Sequence, residues 1–273
     1  MIKKRASSFR SDRHKDKKRK ILIYKYSGVT FGVIALISGF AFLTRANFVK
    51  IGEVKIEGNQ IVQKEAIEQI VKDELQAHSL KIFSKNNFFF YPRTETERKI
   101  QSQFSAVANV SVGLKGFKTV DVQVNEYQPA YLWCDSLART RCYFMDKNGY
   151  IFNESADFSK DVLFTYYGLV DSKDPIGDTY LPPEKFAQLS YFIDSMKLLN
   201  LSPVGLNARG NDDFELLLSS GGSVLFSDHE EFLTTFENLE TIIAEQLVLD
   251  KDFLSKLDYI DVRFSSKAFV KLK

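Results

Sequence analysis

YSGVTFGVIALISGFAFLT, residues Tyr26–Thr44, is a run of 19 residues without one charge, and Lys25 and Arg45 bracket it. As a helix it spans roughly 28 Å at about 1.5 Å per residue, close to the thickness of a bilayer's hydrocarbon core. A helix also satisfies every backbone amide there without water. A buried core helix would carry an amphipathic stripe, which this run lacks. The reading is a transmembrane helix over residues 26–45.

The residues before it set its direction. Residues 1–25 hold eleven Lys/Arg against Asp12 and Asp16, a local balance of +9, whereas the whole chain of 273 residues nets only +2. The other 248 residues therefore sum to −7. A basic flank of this kind stays on the cytoplasmic side. Residues 1–25 read as a disordered, basic cytoplasmic tail able to touch anionic headgroups. A nucleic-acid surface stays open for the tail, but topogenesis already accounts for its charge. Residues 46–273 are expected outside the cytoplasm. The alternative is a cleaved signal peptide, with Gly39-Phe40-Ala41 as a loose small-x-small site. The long basic region and long apolar run favour an uncleaved anchor.

Composition narrows the exterior. Two Cys exclude a disulfide-dense scaffold and a four-Cys zinc site. Fourteen Gly and six Pro exclude a collagen-like or Pro-rich disordered chain. From residue 49 the pattern is legible. Glu53 to Glu57 alternates polar and apolar, the period of a half-buried strand, and Gly58-Asn59 turns the chain. Ile67, Ile70, Val71 and Leu75 form one apolar helical face. Phe88-Phe89-Phe90-Tyr91-Pro92 reads as loop, and Thr94 to Gln103 as a second short helix. Val110, Val112 and Leu114 alternate, as do Val120, Val122 and Val124, with Lys115 to Thr119 as the hairpin turn. The expected unit is β-α-α-β-β, an α+β fold over 49–126 with two helices on one face of a small sheet.

Beyond it, a second and larger mixed β/α domain is expected over 127–273. Tyr131–Cys134 and Cys142–Met145 read as strands, and Asn148-Gly149 as a hairpin turn between apolar runs. Val162 to Tyr167 reads as another strand. Pro182-Pro183 opens a helix whose stripe is Phe186, Leu189, Ile193 and Met196. A second helix is expected from Asp228, with Glu231 at capping-box spacing and a stripe of Phe232, Phe236, Leu239, Ile243 and Leu247. Phe214 to Phe226 reads as a hairpin around Gly221-Gly222. The chain closes on Tyr259-Ile260-Asp261-Val262-Arg263-Phe264 and a strand over Lys267 to Leu272.

These motifs carry a resemblance. An anchor followed by VKIEGN (residues 54–59) and this element order resembles a POTRA domain. Its exit, Glu126-Tyr127-Gln128-Pro129-Ala130, is similar to the Glu-Arg-x-Pro-Ala signature of the FtsQ/DivIB cell-division family, with Tyr127 where that pattern has Arg. DKNGYIF (residues 146–152) and YIDVRF (residues 259–264) resemble the later motifs of the same family, in the same order. The resemblance implies a bacterial divisome scaffold at the septum that binds small coiled-coil proteins of the FtsB/FtsL type. It places partner binding at Arg263, Phe264, Ser266, Lys267, Ala268, Phe269 and Val270, where an unpaired terminal strand could accept a partner's strand. The bland reading is that Arg263 is a structural ion pair, Phe264 is core, and the lysines guard an edge.

Catalysis finds little support. His14, His78 and His229 cannot share a site if the first is cytoplasmic, and no HExxH, nucleophile elbow or Walker loop occurs. Asp212-Asp213 reads as loop solvation. No catalytic residue, cofactor, metal, small-molecule substrate or nucleic-acid partner is expected. A membrane-anchored cell-wall enzyme with an unreadable site, and a POTRA-type export or receptor module, are the alternatives. Cys134 and Cys142, with seven residues between them at the mouths of two adjacent strands, fit a disulfide in an oxidising compartment. Two buried free thiols are the other reading. Sequons at Asn109 and Asn153 carry no weight.

Overall fold

The structure, a computed structural model, describes residues 9–43, 50–79, 83–155, 162–210, 212–264 and 267–273. Its first element is a 35-residue helix, α1 (Phe9–Leu43). The 22-residue stretch Arg19–Phe40 is long and apolar enough to cross a membrane, and none of it is buried in protein. The expectation of a disordered tail over 1–25 is corrected from Phe9 onward. No Gly or Pro interrupts residues 9–27, and Lys and Arg are good helix formers. Once the apolar run has supplied the costly nucleus, each basic residue added behind it gains a hydrogen bond.

Two compact units account for the contacts, one comprising residues 1–101 and 110–124 and the other 102–109 and 125–273. In the first, β1 (Glu53–Glu57), α2 (Lys64–Gln76), α3 (Arg93–Gln103), β4 (Val107–Lys115) and β5 (Thr119–Glu126) follow in the expected order, with strand ends that cross into the second unit. Numbered in chain order, a two-residue ladder stands between the helices, β2 (His78–Ser79) against β3 (Phe83–Ser84). The sheet order is β1-β5-β4, with β1 parallel to β5 and Ile56 opposite Val122. The alternating residues do what their period requires: Ile56, Val110, Val112, Val120, Val122 and Val124 are buried with Ile67, Ile70, Val71 and Leu75 of α2 and Ile100 of α3. Gly58 is needed at its turn. It has φ +89°, and a Cβ there would lie 2.1 Å from the Val124 carbonyl oxygen.

The second unit is built on a nine-stranded sheet, counted among the described residues. Its strands are β6 (Tyr131–Cys134), β7 (Cys142–Met145), β8 (Ile151–Glu154), β9 (Thr165–Tyr167), β10 (Pro203–Ala208), β11 (Asp213–Leu218), β12 (Ser223–Ser227), β13 (Leu257–Phe264) and β14 (Lys267–Leu272). They lie in the order β14-β13-β12-β11-β10-β9-β6-β7-β8. The helices are α4 (Pro183–Ser195), which runs into a 3-10 turn at Met196–Leu199, α5 (Phe232–Leu249) and the short α6 (Phe253–Lys256). One apolar core joins Phe186, Leu189, Phe192, Leu239 and Ile243 of the helices to Trp133, Tyr166, Leu206, Phe214, Phe226 and Ile260 of the strands. A small cluster of Cys134, Cys142, Tyr167 and Leu217 packs separately.

The Asn-Gly turn forms as its residues dictate. Asp146 Oδ1 accepts from the backbone N–H groups of Asn148 and Tyr150, both at 2.9 Å, and Gly149 takes φ +84°. Two expected boundaries move. Only Thr165–Tyr167 of the segment 162–167 is strand; Val162 is 81% exposed in a turn, and residues 156–161 lie outside the described residues. Helix α5 begins at Phe232, not Asp228, and Glu231 occupies the cap position without a side-chain hydrogen bond. Asp228 instead lies in the turn before the helix, in an ion pair with Lys185 of α4. Its backbone N–H is bonded to the Asp212 carbonyl.

Candidate functional site at the C-terminal sheet edge

Strand β14 is the last of the nine strands. It pairs antiparallel with β13, Ile260 opposite Val270 and Asp261 opposite Phe269, and among the described residues no strand pairs with its outer side. All six of its residues are exposed, so neither face of the strand is covered as a core strand would be. Phe269 is 51% exposed, and Val270 and Leu272 face solvent on the opposite side of the strand. The exposed main chain and these apolar side chains form a template for strand addition, with alternate side chains available for specificity.

Lysines temper that edge. Lys271 reaches Asp258 at 2.7 Å and stands 5.8 Å over the Tyr259 ring. Lys273 Nζ donates to the Ser220 carbonyl at 2.7 Å, and its backbone N–H to the Lys256 carbonyl. Positive charge along an outer strand discourages indiscriminate pairing while leaving the main chain reachable.

Beside the edge lies a polar clamp. Arg263 Nε and Nη2 donate to the two oxygens of Asp261 at 2.9 and 2.6 Å, and Nη1 donates to Asp213 Oδ2 at 2.8 Å. The fork-to-carboxylate geometry is the strong form of this pair. The Arg263 hydrogen bonds hold the Asp261 carboxyl below the ordinary carboxylate value against the opposing effect of burial. The same bonds, with the one to Asp213, raise the guanidinium further above its already high value. The guanidinium also lies 5.7 Å from the Phe264 ring centroid. Phe264 in turn meets Phe269 edge-on, centroids 6.0 Å apart.

Of the seven residues assigned to partner binding, the structure brings Arg263, Phe264 and Phe269 into one contiguous group. Lys267, Ala268 and Val270 lie on the same exposed strand. Ser266 lies outside the described residues. Arg263 is saturated by carboxylates of its own chain, so it holds the edge in shape more than it offers a free charge. Phe264 is not core; it is 52% exposed. Asp213 is not a loop-solvating acid as its neighbour Asp212 suggested, but the first residue of β11 and half of the clamp. The partnership of Asp261 with Arg263 was available from the sequence, since residues two apart on a strand share a face.

Among the described residues, the other clusters of chemistry-bearing groups are engaged or solvated. The ligand atoms of Asp212, Asp228 and His229 lie within 4.8 Å of one another. Lys185 already pairs with Asp228, and His229 and Asp212 are exposed, 3.9 Å apart, on surface turns. Burial pushes the hydroxyls of Tyr166 and Tyr180 well above the ordinary phenol value, so both stay protonated as core residues. A groove of about 620 Å³ between α4 and α5 is lined by Phe192, Tyr191, Phe232 and Leu233, with carboxylates at its rim. Cys134 and Cys142 stand opposite each other on β6 and β7 and are joined as a disulfide.

Comparison with known families bears on residues 49–127, which match the POTRA domain, FtsQ-type. Residues 49–127 form an FtsQ-type POTRA domain. The match covers the β-α-α-β-β unit from the residues before β1 to the end of β5, and it is consistent with the FtsQ/DivIB family. No curated protein matches the chain. An N-terminal apolar helix ahead of an FtsQ-type POTRA match fits a membrane-anchored division protein.

Proposed function

We propose that the chain is a non-enzymatic bitopic scaffold of the bacterial divisome. Helix α1 crosses the cytoplasmic membrane with its basic end inside, and the POTRA-like region 49–126 and the β domain 127–273 act on the outer side. The observation that carries this reading is the FtsQ-type POTRA domain behind an apolar helix, the one candidate span among the described residues. The eleven basic residues before Tyr26 support the orientation.

The working surface is the edge strand β14. A partner of the FtsB/FtsL type adds a strand to it, bonding to the main chain of Lys267, Ala268, Phe269 and Val270. Phe264 and Phe269 supply the aromatic anchor, the kind of residue that dominates interface energetics. Arg263 acts indirectly, by fixing the geometry of β13 next to them, and Ser266 belongs to the same surface by its place in the chain.

Two experiments test this. A fluorescent fusion of the full chain should gather at the septum of dividing cells; uniform membrane fluorescence would favour an export or receptor role. In a pull-down from membranes, Phe269→Asp should lose the partner while circular dichroism stays unchanged. Hydrolysis of peptidoglycan by the purified exterior would support the cell-wall enzyme instead.

A further inference from the structure

A second exposed apolar surface lies on the POTRA unit, and the partner-binding reading does not use it. It is made by the loop 85–92 and the β4–β5 turn. Asn87 is fully buried, and its side-chain oxygen accepts from the backbone N–H groups of Phe89 and Phe90 at 2.9 and 3.0 Å. That turn commits the asparagine to the inside and turns the phenylalanines outward: Phe89 is 56% exposed and Phe90 37%. Phe88 lies between, 5.4 Å from Phe89 and 5.0 Å from Phe117. Phe117 is the tip of the turn Gly116–Lys118, 64% exposed, with exposed Lys115 and Lys118 around it. Exposed phenylalanines at the ends of two adjacent turns, flanked by lysine, cost solvation.

Their surroundings say what covers them. The rings of Phe89 and Phe90 each lie 6.1 Å from the ring of Phe40, which closes the membrane-crossing stretch of α1. The tether is short as well. Helix α1 ends at Leu43, and Gly52 is fixed to the Phe117 turn by its N–H bond to the Lys118 carbonyl, 2.9 Å. The eight residues between span at most about 30 Å even when fully extended. The turn cannot travel far from the point where the chain leaves the bilayer. Apolar rings with lysines beside them suit the boundary between acyl chains and headgroups, where cations meet lipid phosphate.

We propose that the Phe89–Phe90 loop and the Phe117 turn rest in the outer lipid interface and that Lys115 and Lys118 meet anionic headgroups there, so that the POTRA unit lies against the bilayer. The proposal needs α1 to span the membrane but not the strand-addition reading of β14.

The test uses the full chain in nanodiscs of phosphatidylcholine with phosphatidylglycerol. Both native cysteines are bonded to each other, so one added cysteine can carry an environment-sensitive NBD label. Labels at Phe89→Cys and Phe117→Cys, both exposed positions, are compared with Tyr191→Cys on the second unit and Leu36→Cys within α1. Lipids spin-labelled near the headgroup should quench positions 89 and 117 several-fold more than 191. Removing phosphatidylglycerol should weaken quenching at 117 most. Quenching at 89 and 117 no greater than at 191, with Leu36 still quenched by deep spin labels, overturns the proposal and points to a protein cover. An unquenched Leu36 overturns the anchor itself, and this inference with it. Loss of the phosphatidylglycerol effect alone removes the two lysines from the contact.

Discussion

Replacing Arg263 with Met keeps most of the side chain's length and removes its charge. Arg263 makes three charge-assisted hydrogen bonds, two to Asp261 and one to Asp213. Asp261 is only 7% exposed, so the variant leaves one well-buried carboxylate without its counter-charge. Breaking a fully buried pair costs about 3–5 kcal/mol, and a surface pair about 0–1 kcal/mol. The Arg263 and Asp213 side chains are 29% and 26% exposed, which places this clamp between those limits, at about 2–3 kcal/mol. With a urea slope of about 1–3 kcal/mol per molar, the unfolding midpoint should fall by about 0.7–3 M. The assay reads itself, because Trp133 is the single tryptophan, is 2% exposed, and sits in the core shared with β13. Removing Asp261 as well should restore part of the loss, since an Asn there has no charge to strand.

The pH dependence follows with a definite sign. In the wild type the folded-state pKa of Asp261 is lowered by Arg263. Its contribution is present above the unfolded carboxylate value near 4 and is lost as pH falls through the lower folded value. In Arg263→Met burial dominates and the pKa rises, so acidification toward pH 4 should narrow the gap between variant and wild type. A midpoint unchanged by Arg263→Met at pH 7, or a gap that widens in acid, would refute the clamp as a structural device and return Arg263 to the role of a free partner anchor.

Other consequences can be checked with the same preparations. Cys134→Ser with Cys142→Ser opens a loop with a sequence separation of 8, for which chain entropy gives about 2.5 kcal/mol; the urea midpoint reported by Trp133 should drop accordingly, and an unchanged midpoint would mean the bond does not form. Gly58→Ala forces a Cβ against the Val124 carbonyl at positive φ, a cost of about 1–3 kcal/mol, visible as faster amide exchange in β1 and β5 but not in β11 or β12. Phe269→Asp, at a half-exposed edge position, should shift stability by no more than about 0.5 kcal/mol while abolishing partner capture. A large loss of stability would show Phe269 to be a packing residue instead.

The two periodicities explain which parts of the fold were legible. Val120, Val122 and Val124 alternate because one face of β5 is buried, and Ile67, Ile70, Val71 and Leu75 repeat because one side of α2 is. The POTRA order followed from these residues and their turns. Strand β10 escaped notice because Pro203-Val204-Gly205-Leu206-Asn207-Ala208 carries no alternation; a parallel pairing with β9 and an antiparallel one with β11 define it. The start of α5 at Phe232 was not legible, because capping-box spacing from Asp228 is a local signal and Asp228 pairs with Lys185, 43 residues earlier in the chain. The helical state of the basic end of α1 was not legible from charge density, because helix propensity and an attached apolar helix decide it. At the site, the strand over 267–272 was legible from its residues following YIDVRF, but the clamp was only half visible. Asp261 was two residues from Arg263, whereas Asp213 reaches it only through the order β11-β12-β13.

The claim on which the account rests is that β14 is a docking edge outside the cytoplasm. Site-specific photo-crosslinking tests it directly, with a photoreactive phenylalanine at position 269 of the full chain in dividing cells and the same group at Leu233 as control. The account predicts one strong adduct from position 269, to a small single-pass coiled-coil division protein, and little from 233. No adduct at 269, or adducts there only to cytoplasmic proteins, would contradict it.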